Sequence, residues 1–146
     1  MLEPTAETVE TLKKLDKLAD KAPELKTALI REFGADAEKQ VVKKIEEVDA
    51  IDSGAMVSTV RREERKDEVS VLVGGIKPKF TRGTSKKTGK AIDPKRANKV
   101  VDYAVYVNDG TSKIRGRFFM ERGIFAAFSN LAGVGRRVLD NWRRSV

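Results

Sequence analysis

The chain contains neither cysteine nor histidine. Without cysteine there can be no disulfide, thiolate metal site or thiol nucleophile. Without histidine, both the commonest general base and the commonest metal ligand are missing. Carboxylates alone could still do acid–base chemistry, but the composition points away from an enzyme and toward a protein with no cofactor. Apolar runs are also short, and none approaches the roughly 20 residues needed to span a bilayer. The opening Met-Leu-Glu-Pro-Thr-Ala-Glu has no basic leader followed by an apolar block. This argues against a signal peptide and for a protein made and used in a cytoplasm, or in something assembled there.

What is present fits one domain spanning 1–146. The chain is 40% hydrophobic and 36% charged, enough for a core beneath a highly charged surface. Its net charge of +8 is unevenly placed. Residues 1–54 carry nine basic and thirteen acidic side chains, a balance of −4, and residues 55–146 carry 21 and nine, a balance of +12. Such a split suits an acidic partner (nucleic acid, membrane or an acidic protein surface), against the plain alternative of a solvated surface.

Val9, Leu12, Leu15, Ala19 and Ala22 recur at spacings of three and four, which predicts an amphipathic helix with Thr5 as its cap and Lys13, Lys14 and Lys17 on the wet side. Pro23 suits the first turn of a second helix, with Ile30, Phe33, Ala37, Val41, Ile45 and Val48 on one stripe. Gly34 offers a break in that helix, and Asp52-Ser53-Gly54 ends it. Val69, Val71 and Val73 alternate with Glu68, Ser70 and Leu72 as in a half-buried strand; Met56–Arg62 is its expected partner through a turn at Arg65-Lys66-Asp67. Residues 76–99 then read as a long, basic, flexible loop between two strands, with nine Lys/Arg against Asp93 alone. Val100–Val107 returns to apolar texture as the next strand, and Asn108-Asp109-Gly110-Thr111 is a turn. Ile124, Phe128, Leu131, Val138 and Trp142 mark a terminal helix, which Gly133-Val134-Gly135 should bend or interrupt. The expected fold class is α+β: N-terminal helices, a small mainly antiparallel sheet with the basic loop, and a C-terminal helix packed on the sheet.

Three segments could carry function. Gly83–Ala91 superficially suggests a phosphate-binding P-loop, but five residues separate its glycines where four are needed, and Ala91 offers magnesium no hydroxyl. The loop cations Lys77, Lys79, Arg82, Lys86, Lys87, Lys90, Lys95 and Arg96 can neutralise phosphates without reading sequence. With Phe80 as the loop's one aromatic, a base-stacking platform is poorly supported, and a loop that orders against an acidic neighbouring subunit is narrowly favoured over DNA contact or a solvated loop. Glu46, Glu47, Asp49 and Asp52 could hold magnesium, although a solvated helix face is the commoner meaning of such a cluster.

The order of short motifs goes beyond texture. Asp52-Ser53-Gly54 and a strand pair are followed by Tyr103-Ala104-x-Tyr106-Val107-x-x-Gly110-Thr111, and then by Arg117-Phe118-Phe119 at the start of a terminal helix. This order resembles the tail-completion (head–tail joining) family of long-tailed double-stranded DNA phages, over roughly residues 10–132. Members of that family show a TG-x-L turn after a long helix, then YA-x-Y-x-E-x-GT, then RPF. Gly54, Tyr103, Ala104, Tyr106, Gly110, Thr111, Arg117 and Phe119 match; Asn108 replaces a glutamate, Ala55-Met56 shifts a leucine and Phe118 replaces a proline. The residue chemistry suits a building role: tyrosine rings at a boundary, a positive-φ glycine followed by a threonine turn, an arginine that caps carbonyls or pairs with a carboxylate, and a buried phenylalanine. The resemblance implies a structural virion protein of the neck, forming a closed, hexameric homo-oligomeric ring that stacks on other phage neck and tail proteins. DNA would pass through its lumen, with possible non-specific contact, and no membrane would be involved. A tail terminator capping the tail tube, or a stand-alone sequence-independent DNA-binding protein, are the alternatives.

Overall fold

In the computed structural model, residues 6–48 and 54–145 are described, without the side chains of Glu7, Thr8 and Arg96. The expected cap at Thr5, the carboxylates Asp49 and Asp52, and the turn residue Ser53 lie outside them.

The fold is mixed α+β. Helix α1 runs over Ala6–Glu47, followed by a 3-10 turn at Val57–Thr59, strands β1 (Arg61–Glu64) and β2 (Val69–Leu72), and helices α2 (Pro94–Ala97), α3 (Ala104–Asp109), α4 (Phe119–Ser129) and α5 (Leu131–Ser145). The strands form an antiparallel hairpin with Arg61 opposite Leu72 and Glu64 opposite Val69. Its turn falls at Arg65–Glu68, where Arg65 N–H donates to the Glu68 carbonyl at 2.7 Å.

α1 is one helix of 42 residues, not two. At 1.5 Å per residue it is about 63 Å long. Pro23 lies inside it because a proline removes one i→i−4 bond rather than ending every helix. α5 braces the same region from outside: Trp142 Nε1 donates to the Lys21 carbonyl at 3.3 Å, and Lys21 Nζ donates to the Ser145 carbonyl at 2.7 Å. Gly34 does not break α1 either. It is a contact point, since a Cβ there would collide with Val69 Cγ1 of the hairpin. Arg62–Glu38 at 3.2 Å and Arg31–Glu64 at 3.5 Å hold the two elements together on either side.

The core gathers at the C-terminal end of α1, around Val41, Ile45, Ala55, Met56, Val60, Val101, Ala104 and Phe119. Val71 and Val73 from the hairpin side and Met120 and Ile124 of α4 pack against this cluster, so sheet and C-terminal helix share one core. Buried Thr59 locks the hairpin's exit: its hydroxyl donates to the Met56 carbonyl at 2.6 Å and accepts from Gly74 N–H at 2.8 Å.

Three further expectations are corrected. Residues 104–109 of the expected Val100–Val107 strand and the turn after it form helix α3, because Ala104 and Asn108, four apart, are the positions that face inward. The terminal helix breaks at Asn130, between α4 and α5, and Gly133 and Gly135 sit within α5. Its buried stripe is Phe119, Gly123, Ala127, Val134 and Val138, while Phe125 and Leu131 face outward and Phe128, though exposed on one side, lies against the Phe33 ring of α1 with centroids 5.2 Å apart. Small residues line the inner face because the backbones approach closely: a Cβ on Gly123 would stand 2.7 Å from Val41 Cα.

Candidate functional site

The residues of the Tyr103–Phe119 motif build a joint between α3, α4 and the end of α1. Asn108 is its centre and is buried. Its Oδ1 accepts from Met120 N–H at 3.0 Å, and its Nδ2 donates to both Glu121 carboxylate oxygens at 3.1 Å and to Asp109 Oδ1 at 2.7 Å. α4 needs this help. The residue before it, Phe118, is left-handed at φ 52 and provides no side-chain cap. Asn108 therefore caps α4 from a neighbouring helix, satisfying one of the donors that every helix start leaves unpaired. Two backbone bonds complete the joint, Arg117 N–H to the Val107 carbonyl and Phe118 N–H to the Asn108 carbonyl, each at 2.9 Å.

Gly110 ends α3 at φ 85, and a Cβ there would stand 2.5 Å from Gly116 N. Between those glycines Thr111 Oγ1 accepts from Lys113 N–H at 3.2 Å and Ile114 N–H at 3.1 Å. Arg117 Nη1 donates to the Val48 carbonyl at 3.0 Å, just past the C-terminus of α1, where a cation also complements the helix dipole. Phe119 is 1% exposed and Ala104 is buried, whereas Tyr103 and Tyr106 lie on the outer side of the joint. Gly54, at φ 80, stands apart from this group, next to the Phe80 ring.

The basic loop has a stapled base and internal structure. Gly75 N–H donates to the Val101 carbonyl at 2.8 Å, and Val101 N–H to the Ile76 carbonyl at 3.0 Å. Within it, Thr84 and Ala91 form an antiparallel bridge around a turn in which Gly89 N–H meets the Ser85 carbonyl at 2.8 Å. Asp93 Oδ1 accepts from Lys95 N–H at 3.0 Å and starts α2. Lys77, Lys79, Arg82, Lys86, Lys87, Lys90, Lys95 and Lys99 are all exposed; Arg96 belongs to α2, its side chain outside the described set. A cleft of ≈ 710 Å³ between this loop and the start of α3 is lined by Ser85, Thr88, Lys90, Asp93, Lys99 and Asp102. Its charges are of both signs, so it is no simple anion site.

Of the carboxylate cluster, Glu46 is exposed, and Glu47 is taken by Lys44 at 2.5 Å and Lys43 at 3.9 Å. The Lys44 hydrogen bond, helped by the charges of Lys44 and Lys43, holds the Glu47 carboxyl below the usual range. Among the described residues no group of three or more acidic side chains could hold a metal ion, and no helix is long and apolar enough to cross a membrane.

Sequence reading missed the roles of Asn108 and Glu121, and it missed Gly116. No local signal marks them, because the partners of Asn108 are set by how α3 meets α4. No family model, curated protein or solved structure matches the chain.

Proposed function

We propose that this chain is a structural virion protein, a subunit of a ring at the head–tail junction of a long-tailed phage that acts by binding rather than catalysis. The order of motifs from Gly54 to Phe119 supports the neck assignment. The observation that carries the assembly role is surface. The chain exposes 10628 Å², whereas a compact monomer of its 16.2 kDa exposes about 7,500 Å². A surface that large, with Leu12, Leu15, Phe125 and Phe128 in it, suits a part whose folding is completed by neighbours. In this reading the ring encloses the DNA channel and stacks on other neck and tail proteins, and the virion is the protein's final location after assembly in the host cytoplasm.

The test is to locate the chain in purified particles by cryo-electron microscopy and to examine particles made without it. Density at the neck, with full heads and finished tails left unjoined in its absence, is the expected result. Density capping the tail tube, with over-long tails in its absence, would instead establish the tail terminator. Absence from the particle would remove both readings.

A second reading, sequence-independent DNA binding, is favoured by the exposed cations of residues 76–99. Binding of the isolated protein to duplex DNA across a salt series addresses it, because phosphate contacts weaken steeply with salt. Negligible binding at low salt would discard it.

A further inference from the structure

The first four turns of α1 form an arm that extends beyond the α5 contact at Lys21. α5 reaches back along α1 as far as Lys21, where Trp142 and Ser145 meet it. Beyond that point α1 continues to Ala6, and its apolar stripe is open to solvent, with Leu12 53% and Leu15 55% exposed. At 3.6 residues per turn, Asp16 lies about 40° and Asp20 about 80° round from Leu12 on one edge of this stripe, with Lys13 at about 100° and Lys14 and Lys17 farther round. Lys14 is engaged on that far side with Glu10 at 2.9 Å. The arm therefore offers leucines with an acidic border.

The complementary surface lies at the other end of the molecule. A groove of ≈ 500 Å³ runs between α1 and α4, with Phe125 and Ala126 in its lining and Lys43, Lys44 and Arg122 around it. Glu47 is the one acid in that lining. Phe125 is 75% exposed, the most exposed of the large apolar side chains among the described residues. This groove offers an apolar wall at Phe125 and Ala126, with Gln40, Ser129 and Asn130 also in its lining and a net basic border.

We infer that the α1 arm of one copy docks in the α1–α4 groove of the next, with Leu12 and Leu15 against Phe125 and with Asp16 and Asp20 facing Lys43 and Arg122, Lys44 being held by Glu47 of its own chain. An amphipathic helix in an apolar groove is a recurrent mode of recognition, anchored at i and i+3 positions. Charge complementarity selects a second copy as the occupant, since each chain carries both halves. The contact is head-to-tail, because arm and groove are different surfaces of the same chain, and such contacts generate rings or filaments. The inference rests on the ring reading for its biological purpose and on the arm and groove for its geometry.

The experiment is sedimentation velocity on the full chain and on two variants, Leu12→Glu/Leu15→Glu (arm) and Phe125→Glu (groove), with circular dichroism to show that helix content is kept. These side chains are solvent-exposed in the monomer, so the fold should survive, and Phe125→Ser provides a milder groove variant. The expected result is concentration-dependent assembly of the native chain, weakened about tenfold or more in each variant. Mixing the two variants should give one-to-one dimers and nothing larger, since each pair retains one intact arm and one intact groove. Equal assembly in native and variant chains would overturn the arm–groove joint while leaving the ring reading intact. A native chain that stays monomeric at every concentration would also overturn it. Mixed variants that fail to dimerise would show that the two surfaces are not partners.

Discussion

Arg117 reaches across 69 residues of sequence to donate a hydrogen bond to the Val48 carbonyl, 3.0 Å away. The contact ties the loop that launches α4 to the end of the helix on which α4 packs. Arg117→Met keeps most of the aliphatic stem and removes the charge and donor. It should lower stability by about 0.5–1.5 kcal/mol, read as a fall in the urea midpoint with an unchanged m-value. Arg117→Lys, which keeps the charge without the planar fork, should fall between. Equal midpoints for all three proteins would mean that the contact contributes nothing.

Asn108 faces Glu121 through its amide, so a glutamate at this position is disfavoured. Asn108→Glu would set two carboxylates against each other, raising their pKa values in the folded state. The penalty is then largest at neutral pH and is relieved as pH falls, because a raised folded pKa contributes stability below it and loses that contribution above it. We expect a loss of about 1–3 kcal/mol at pH 7 that narrows toward pH 4, measured by thermal melts across that range. A deficit that does not depend on pH would refute the carboxylate opposition.

Gly34 should reverse the usual helix rule. Alanine is better than glycine in a helix interior by about 1 kcal/mol, yet here its methyl would strike Val69. Gly34→Ala should therefore destabilise the protein, and the loss should shrink in a Val69→Ala background. Additive effects in that double-mutant cycle would show that the two positions are not coupled.

Phe118 holds a left-handed backbone that glycine adopts freely and proline cannot adopt. Comparing substitutions that all lose the ring isolates the backbone effect. Phe118→Gly should be more stable than Phe118→Ala by about 1 kcal/mol. Phe118→Pro should be the least stable, since it also removes the N–H given to the Asn108 carbonyl. Denaturant titration orders the three.

The sequence disclosed periodicity more readily than packing. The stripe Ala37, Val41 and Ile45 is buried where its spacing placed it, and the hairpin turn lies at Arg65–Glu68. Pro23 misled because the contacts that brace α1 there come from Trp142 and Ser145, far along the chain. Of the terminal stripe, Val138 is buried and Ile124 packs on the core, but Phe128 and Leu131 are largely exposed, because the close crossing at Val41 admits only small side chains such as Gly123 and Ala127. The motif residues were legible as a group, but Asn108's partners depend on how α3 and α4 meet, which no local pattern encodes.

α1 is one continuous helix lodged in two unlike environments. From Lys21 onward its amides are shielded by α5, the hairpin and α4, and they should exchange with solvent deuterium only when much of the fold opens. Toward Ala6 each turn relies on the turn before it, and a helix this short without a partner is marginal in water. In the isolated protein, protection should therefore fade along a single uninterrupted helix, with the boundary near Trp142's contact. Any neighbour that seats on the first turns would move that boundary toward Ala6, turning one helix into an internal gauge of whether assembly has occurred.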